Sequence, residues 1–282
     1  MFHIPGLVGL ETLDLSYNSI SEVDPEAFLH LRSLSYLCLA KNSLTMVGPD
    51  WPTPLSSLVT LDLSQNLIKR TSLNSLTLSE LDLSDNMLSS LPPTSLSLPG
   101  LTSLNLAYNK LVLPPSASLP LPSLHTLSLS GNMIRHLGPS TFAHLPSLSS
   151  LQLAALPRLE SVAPLALREL HNLSSLSLAS CRHLHPLPVD LFSTTPRLSS
   201  LDLSHLRWTS LPSSLLPGSL TSLRVEGLPL TCDCSLLWLW DLQQQHRLQL
   251  LGAQCDGTPL DQLQVLGCKK PQHLLPGGRV GV

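Results

Sequence analysis

The stretch that decides the fold is Leu58–Ile68, LVTLDLSQNLI, which has the form Leu-x-x-Leu-x-Leu-x-x-Asn-x-Ile. The same frame recurs with Asn at its ninth position in five further places, beginning at Leu10, Leu34, Leu78, Leu101 and Leu124. A weaker version without the Asn begins at Leu148, Leu173, Leu198 and Leu220. Successive frames start 20 to 25 residues apart. Ten frames in register are not accidental, so the chain is a tandem repeat.

The repeat length and the frame are those of leucine-rich repeats. The Leu-x-Leu alternation has the period of a short strand with one buried face. One unit cannot bury its own leucines, so units stack and their strands form a parallel sheet about 4.8 Å apart. We therefore predict an α/β solenoid: a leucine-rich-repeat horseshoe with a parallel concave β-sheet and an irregular, Pro-rich convex side.

The recurrent Asn lies where the chain leaves the strand and turns inward. Its amide both donates and accepts, so we expect it to satisfy buried backbone groups of adjacent turns. From the seventh frame onward the Asn is replaced, by Leu156, Cys181, Leu206 and Leu228. Leu cannot make the hydrogen bonds of the amide, and the sequence does not show what replaces them.

Composition and charge exclude several classes of partner. The net charge of −3 is too small to indicate nucleic acid or a membrane surface. Residues 1–110 carry ten acids and five bases, whereas the remainder carries nine acids and eleven bases. Two interpretations stay open: an ordinary solvated surface, or an acidic half that receives a basic partner.

No apolar run approaches the roughly 20 residues of a membrane helix, and no signal peptide is recognisable at Met1. Ile4, Leu7 and Leu10 align with the end of one repeat entering the next. Because solenoids need capped ends, we expect the chain to be a fragment, or a gene model that lacks its first exon.

The last frame is followed by four cysteines, Cys232, Cys234, Cys255 and Cys268. Residues 235–246 between them read as a short helix with Asp233 or Ser235 as N-cap. From the residues alone, the cysteines form disulfides, bind zinc or remain free thiols. Cys-x-Cys differs from the Cys-x-x-Cys spacing of most zinc sites.

Cys232-x-Cys234 after a final repeat, then Leu-Leu-Trp-Leu-Trp and two further cysteines, resembles the cysteine-rich C-terminal cap of animal extracellular leucine-rich-repeat proteins. That superfamily includes Slit-like proteins, insect adhesion receptors and toll-like-receptor ectodomains. The resemblance implies a disulfide-bonded C-terminal cap with bridges Cys232–Cys255 and Cys234–Cys268. The expected domains are leucine-rich repeats over residues 1–230, the cap over 231–270 and a tail or linker over 271–282.

Catalytic and metal motifs are absent from the sequence: there is no Gly-x-Ser-x-Gly, no His-Glu-x-x-His and no phosphate-binding Gly loop. Cys181, His183 and His185 could suggest a metal site, but at a solenoid turn we expect the Cys inward and both His in solvent. We therefore predict no enzyme, no cofactor and no metal. Cys38, on the concave strand face, is expected to be a free thiol.

A partner is expected on the concave face, at the third, fifth, seventh and eighth positions of the frames. Tyrosines are favoured contact anchors, and the first five repeats combine them with an acidic stripe. The candidate ligand-binding residues are Asp14, Tyr17, Tyr36, Asp62, Glu80, Asp82, Asp85 and Tyr108. Leu-Asp-Leu-Ser is also plain repeat consensus, so a purely generic origin of the acids stays open.

The leading hypothesis is a non-enzymatic recognition module of a cell-surface receptor, adhesion protein or secreted protein that binds a protein ligand. The alternative is an intracellular scaffold or regulatory subunit with reduced cysteines. Asn172, in the sequon Asn-Leu-Ser, is the candidate glycosylation site.

Overall fold

A computed structural model describes residues 7–48, 55–92, 95–115, 119, 121–244 and 247–260. Its main element is an eleven-stranded parallel sheet whose strands follow one another in chain order, which confirms the predicted horseshoe. The strands are Thr12–Asp14, Tyr36–Cys38, Thr60–Asp62, Glu80–Asp82, Ser103–Asn105, Thr126–Ser128, Ser150–Gln152, Ser175–Ser177, Ser200–Asp202, Ser222–Arg224 and Gln249–Leu251.

The strand register stacks the leucines of the frame in columns. Leu61 lies between Leu37 and Leu81, and all three are at most 2% exposed. Each buried leucine contributes about 1.5–3 kcal/mol relative to an exposed one. Since a single turn has no second layer to cover this row, neighbouring turns must supply it. The core is therefore a continuous leucine stack along the solenoid axis.

The convex side is built from turns and very short elements. Three pairs of parallel two-residue strands lie outside the main sheet: Met46–Val47 with Arg70–Thr71, Leu73–Asn74 with Leu96–Ser97, and His136–Leu137 with Ser161–Val162. Two 3-10 helices, Pro25–Phe28 and Ser213–Leu215, complete it. Phe28 and Phe142 fill the core from this side, 7% and 0% exposed.

The frame asparagines form a ladder through the inside of the turns. The Nδ2 group of Asn109 donates to the carbonyl oxygens of Leu83, Leu106 and Ala107, and its Oδ1 accepts from the backbone N–H of Leu88 at 3.0 Å. Equivalent bonds, each reaching one repeat back, are made by Asn42, Asn66, Asn86 and Asn132. The predicted role of the asparagines is confirmed.

Where the Asn is missing, other donors take over part of its work. The thiol of Cys181 donates to the carbonyl oxygen of Leu153 at 3.1 Å, the same frame position that Asn132 reaches in Leu106. In the next repeat the indole N–H of Trp208 donates to the carbonyl of Leu184 at 2.8 Å. The thiol answers the question that the sequence left open for one of the four repeats, whereas the carbonyl of Leu184, at the twelfth frame position, is not one that the asparagines reach.

A second ladder runs along the second position of the frame. Hydroxyl groups there donate to the carbonyl oxygen of the equivalent residue one repeat earlier, as Thr102 does to Ser79 at 3.0 Å. The other members are Ser35, Ser79, Ser149, Ser174, Ser199 and Thr221. These hydroxyl groups therefore seal the margin of the sheet. Val59 and His125 interrupt this ladder.

The cap contains a helix and the first disulfide bond as predicted, but its helix does not start at the predicted residue. A 3-10 turn, Cys234–Leu236, leads into the single described α-helix, Leu237–Gln244, and Asp233 caps the turn by accepting from the N–H of Ser235 at 2.8 Å. The α-helix thus begins two residues after the predicted start at Ser235, and the predicted end at His246 lies outside the described residues. Cys232 and Cys255 are disulfide-bonded, which confirms the first predicted bridge.

The cap also adds an element that the repeat frame did not predict. Its strand Gln249–Leu251 pairs in parallel with Ser222–Arg224 and covers the last edge of the concave sheet. An antiparallel pair, Gln254–Cys255 with Thr258–Pro259, follows it. Cys268 and the tail 271–282 lie outside the described residues, so the bridge Cys234–Cys268 stays a prediction. Within the described ranges, no helix has the length and apolarity needed to cross a bilayer.

Candidate functional site

The predicted contact residues all lie on the concave sheet or at its exit, but they differ in exposure. Asp14, Tyr17, Glu80, Asp85 and Tyr108 are exposed, as expected. Tyr36, Asp62 and Asp82 are half-buried, and the fifth-position thiol of Cys38 is only 6% exposed. Side chains on adjacent strands lie close together on this face. A solvent-facing frame position therefore does not guarantee an accessible side chain.

The fifth-position aspartates are engaged in structural hydrogen bonds. One carboxylate oxygen of Asp62 accepts from the N–H of Ser64, and that of Asp82 accepts from Ser84, closing the turn two residues on. Asp14 and Asp202 do the same. The second oxygen of Asp82 accepts from the amide of Asn105 at 2.9 Å. These acids therefore stabilise the strand exit, and Asp62 and Asp82 are weaker contact candidates than the sequence indicated.

Cys38 lies inside a small polar cluster on this face. It is a free thiol, as predicted, and its Sγ lies 3.7 Å from a carboxylate oxygen of Asp62. Burial raises the pKa of the Cys38 thiol, and the carboxylates of Asp62 and Asp14 raise it further. Burial likewise raises the pKa of Tyr36, so both groups stay protonated at neutral pH.

The eighth frame position presents a column of residues in the left-handed backbone region. Tyr17, Lys41, Gln65, Asp85 and Tyr108 all have φ between 53° and 57°. The stacked turns hold this conformation, which non-glycine residues rarely adopt. It sends the side chains along the solenoid axis: the Lys41 ammonium lies 4.1 Å from the centre of the Tyr17 ring and donates to its hydroxyl.

Tyr108 is held in the same way. Its ring lies over Gly131, where an added Cβ would come within 2.4 Å of the ring carbon Cδ1. Nevertheless, 57% of Tyr108 is exposed, and 74% of Tyr17. The two tyrosines are therefore supported from below and open above, which suits a contact anchor.

Charge on the N-terminal part of the concave face is uncompensated. In the described part of the chain, none of the acids Asp14, Asp62, Glu80, Asp82 and Asp85 makes an ion pair with Lys, Arg or His. The exposed members of this set leave a negative field toward solvent.

The C-terminal part of the concave face is a polar hollow of about 230 Å³. Its floor consists of small side chains, and charged groups stand at one side. The lining residues are Gln152, Ser175, Leu176, Ser177, Ser200, Leu201, Asp202, Ser222, Arg224 and Leu251. It offers no exposed aromatic anchor.

The remaining predicted positions lie away from this face. Asn172 is exposed at the margin of the sheet, where its Nδ2 donates to the carbonyl of Pro146 at 3.1 Å and its Oδ1 accepts from Arg197 at 2.8 Å. Glycosylation there stays a prediction. Cys181 is buried, whereas His183 and His185 are exposed.

Comparison with known proteins identifies the repeat. The family description "Leucine rich repeat" matches residues 3–44 and 111–155, and a second profile of that description matches 77–98. Tsukushi of Mus musculus is 34% identical over 220 residues, covering 75% of this chain and 62% of that protein. Leucine-rich repeat-containing G-protein coupled receptor 5 of Rattus norvegicus is 38% identical over 97 residues, 32% of this chain and 10% of the receptor. The chain thus spans less than two thirds of these relatives.

Solved structures share the architecture. A TLR13–ssRNA13 complex aligns with a TM-score of 0.72 at 22% identity, covering 92% of this chain and 43% of that one. The octameric complex of Latrophilin 3, Unc5D and FLRT2 aligns with a TM-score of 0.67 at 23% identity, covering 95% and 93%. Such identities show the fold alone. Together with the frame and the stacked sheet, these matches show that the chain has the leucine-rich-repeat fold.

Proposed function

We propose that this chain is a non-catalytic protein-recognition module that works outside the cell or at its surface. In this proposal it binds a protein ligand on the concave face of repeats one to five. The observation that carries the proposal is the pair of exposed tyrosines, Tyr17 and Tyr108, held in fixed backbone positions beside carboxylates that lack cationic partners.

The physical basis is preorganisation. The left-handed turns and the supporting groups beneath each ring are set by the stack, so little conformational entropy is lost when a partner docks. Tyrosine buries a large area with few rotatable bonds, and unpaired carboxylates accelerate the approach of a basic partner. We therefore infer a ligand with basic groups around an apolar centre.

Two findings support the extracellular setting and the protein ligand. The bridge Cys232–Cys255 is of the kind that persists in oxidising compartments and is rare in the cytosol. One structural neighbour, FLRT2, was solved in a complex with the proteins Latrophilin 3 and Unc5D. The acidic concave face also disfavours the alternative ligand type seen with TLR13, a single-stranded RNA, because like charges repel.

The proposal is tested by the binding of fluorescently labelled protein to a panel of cultured cells, with and without protease treatment of the cells. Asp85→Asn with Tyr108→Asn removes one charge and one anchor, and Asn tolerates the left-handed backbone. We expect the apparent Kd to rise roughly tenfold or more, the size of a lost hot spot. The matched control, Val189→Ala with Asp190→Asn on the convex side, should bind as the wild type does. Binding that survives protease treatment, or equal losses in both variants, would refute the proposal.

A further inference from the structure

Half of the basic side chains of this protein lie on one flank of the solenoid. The flank comprises frame positions eight to thirteen, where the chain leaves the concave sheet and descends to the convex side. In repeats two to nine these positions hold eight Lys and Arg residues, Lys41, Lys69, Arg70, Lys110, Arg135, Arg158, Arg182 and Arg207. The acids at the same positions are Asp85 and Glu160. The charge asymmetry is therefore between faces of the solenoid as well as between halves of the chain.

The densest part lies in repeats six to nine, and we call it the basic flank: Arg135, His136, Arg158, Arg182, His183, His185 and Arg207, all of them exposed. Backbone hydrogen bonds place its turns side by side. The N–H of Glu160 donates to the carbonyl of Arg135 at 2.9 Å, and the N–H of His185 donates to the carbonyl of Glu160 at 3.0 Å. The parallel pair His136–Leu137 with Ser161–Val162 fixes the same turns. The cations are thus carried on an ordered backbone.

Glu160 is the single acid at these positions in repeats six to nine. Arg135 donates to its carboxylate at 2.9 Å, and this hydrogen bond lowers the pKa of Glu160. The charges of Arg135, His136 and His185 lower it further, because all three surround the carboxylate. Arg158, Arg182 and Arg207 make no ion pair with any acid in the described ranges. The flank therefore keeps an excess of positive charge.

The basic flank lacks the apolar anchors of a protein interface. Its large apolar side chains point into the core: Leu159 is 0% exposed, Leu184 4% and Trp208 6%. Protein partners are held mainly by buried aromatic and aliphatic groups, with charges at the rim. Single-stranded nucleic acid is held by base stacking on exposed aromatic rings, and Trp208 is not available for stacking. What the flank offers is a row of cationic groups alone.

We propose that the basic flank is a second interaction surface that binds a sulfated polysaccharide lying along the solenoid axis. Such a chain carries closely spaced anionic groups and has no bases to stack. The flank spans four turns, about 15 Å at the strand spacing of the sheet. Arginine forks suit the oxygens of tetrahedral anions. The residues of the basic flank lie at frame positions ten to thirteen, whereas the concave contact residues lie at positions three to eight, so the two surfaces are separate and this proposal does not depend on the concave ligand.

The test measures the Kd of a heparin-derived octasaccharide for the full chain between 0.05 and 0.2 M NaCl. In Arg182→Ser with Arg207→Ser we expect the affinity to fall roughly fivefold or more and the slope of log K against log salt to decrease by about two. Arg32→Ser with Arg168→Ser makes the same change in net charge outside the flank and should keep wild-type values. Arg182→Lys with Arg207→Lys, which keeps the charges, should retain most of the affinity.

Three outcomes would overturn the proposal. Wild-type protein that does not bind the octasaccharide at 0.15 M NaCl has no such surface. Equal losses in the Arg182/Arg207 and Arg32/Arg168 variants would assign the binding to net charge alone. A single-stranded RNA of equal charge that binds more tightly than the octasaccharide, and in a way that depends on Arg182 and Arg207, would assign the flank to nucleic acid.

Discussion

Replacing Asn109 by Ala tests the proposed role of the asparagine ladder. Asn109 is 3% exposed. The loss of unfolding free energy depends on which of its backbone partners keep a second hydrogen bond after the substitution. The carbonyl of Leu83 still accepts from Asn86, that of Leu106 from Asn132, and that of Ala107 from the N–H of Asp85. Among the described residues, the N–H of Leu88 has only the Asn109 oxygen as acceptor, so it is the group that the substitution leaves unpaired.

The magnitude combines two contributions. An orphaned buried N–H costs about 1–3 kcal/mol, and the lost amide donor bonds cost about 1 kcal/mol more, so we expect a destabilisation of roughly 2–4 kcal/mol. Asn18→Ala is the matched control. Asn18 is exposed, and its described bonds are donations to the carbonyls of Leu15 and Ser16, so the expected cost is about 0.5–1 kcal/mol.

The assay is urea unfolding followed by circular dichroism, together with hydrogen exchange at the Leu88 amide. For Asn109→Ala, the midpoint should shift with little change in m, and the Leu88 amide should exchange much faster than in the wild type. If Asn109→Ala is no more destabilising than Asn18→Ala, or if the Leu88 amide stays protected from exchange, the hydrogen-bond role assigned to the asparagines is wrong.

Three further predictions concern the hydroxyl ladder, a buried histidine and the free thiols. Val59→Thr should fill the gap in the hydroxyl ladder by donating to the Ser35 carbonyl, a gain of about 0.5 kcal/mol in urea unfolding that Val59→Ala should not show. The ring nitrogens of His144 are buried and have no hydrogen-bond partner in the described part of the chain, and burial lowers the pKa of this imidazole. Stability should therefore fall as the pH drops below about 6.5, because the unfolded chain binds a proton that the folded one resists, and His144→Gln should lessen that fall. Alkylation of unreduced protein should modify two thiols, Cys38 and Cys181, and only after denaturation, since both are buried and burial raises the pKa of Cys181 to about 11. Six reactive thiols in denatured protein that was never reduced would contradict the disulfide cap and favour the intracellular alternative.

The repeat frame predicts on which face of the solenoid the candidate contact residues lie. It does not predict how accessible each side chain is. Frame position alone put Tyr17, Tyr108, Glu80 and Asp85 on the exposed concave side, where the structure has them. The same rule failed for Cys38, because the accessibility of a fifth-position side chain depends on its neighbours in the adjacent strands. It also missed the polar hollow beside Arg224, which arises only when five turns are stacked.

The sequence alone could establish those features that depend on residues close together in the chain. A strand with period-two leucines, an amide at each inward turn, an Asp that caps the turn into the helix, and the family pattern behind Cys232–Cys255 are all readable within one repeat or one motif. Tertiary structure decided what depends on groups from different turns. These are the bond between Asn105 and Asp82, the thiol of Cys181 that replaces a lost asparagine donor, the eleventh strand from the cap, and the separation of acids and bases onto two faces. The physical reason is that each of these properties relates groups from different turns, which are far apart along the chain and come close together only when the turns stack.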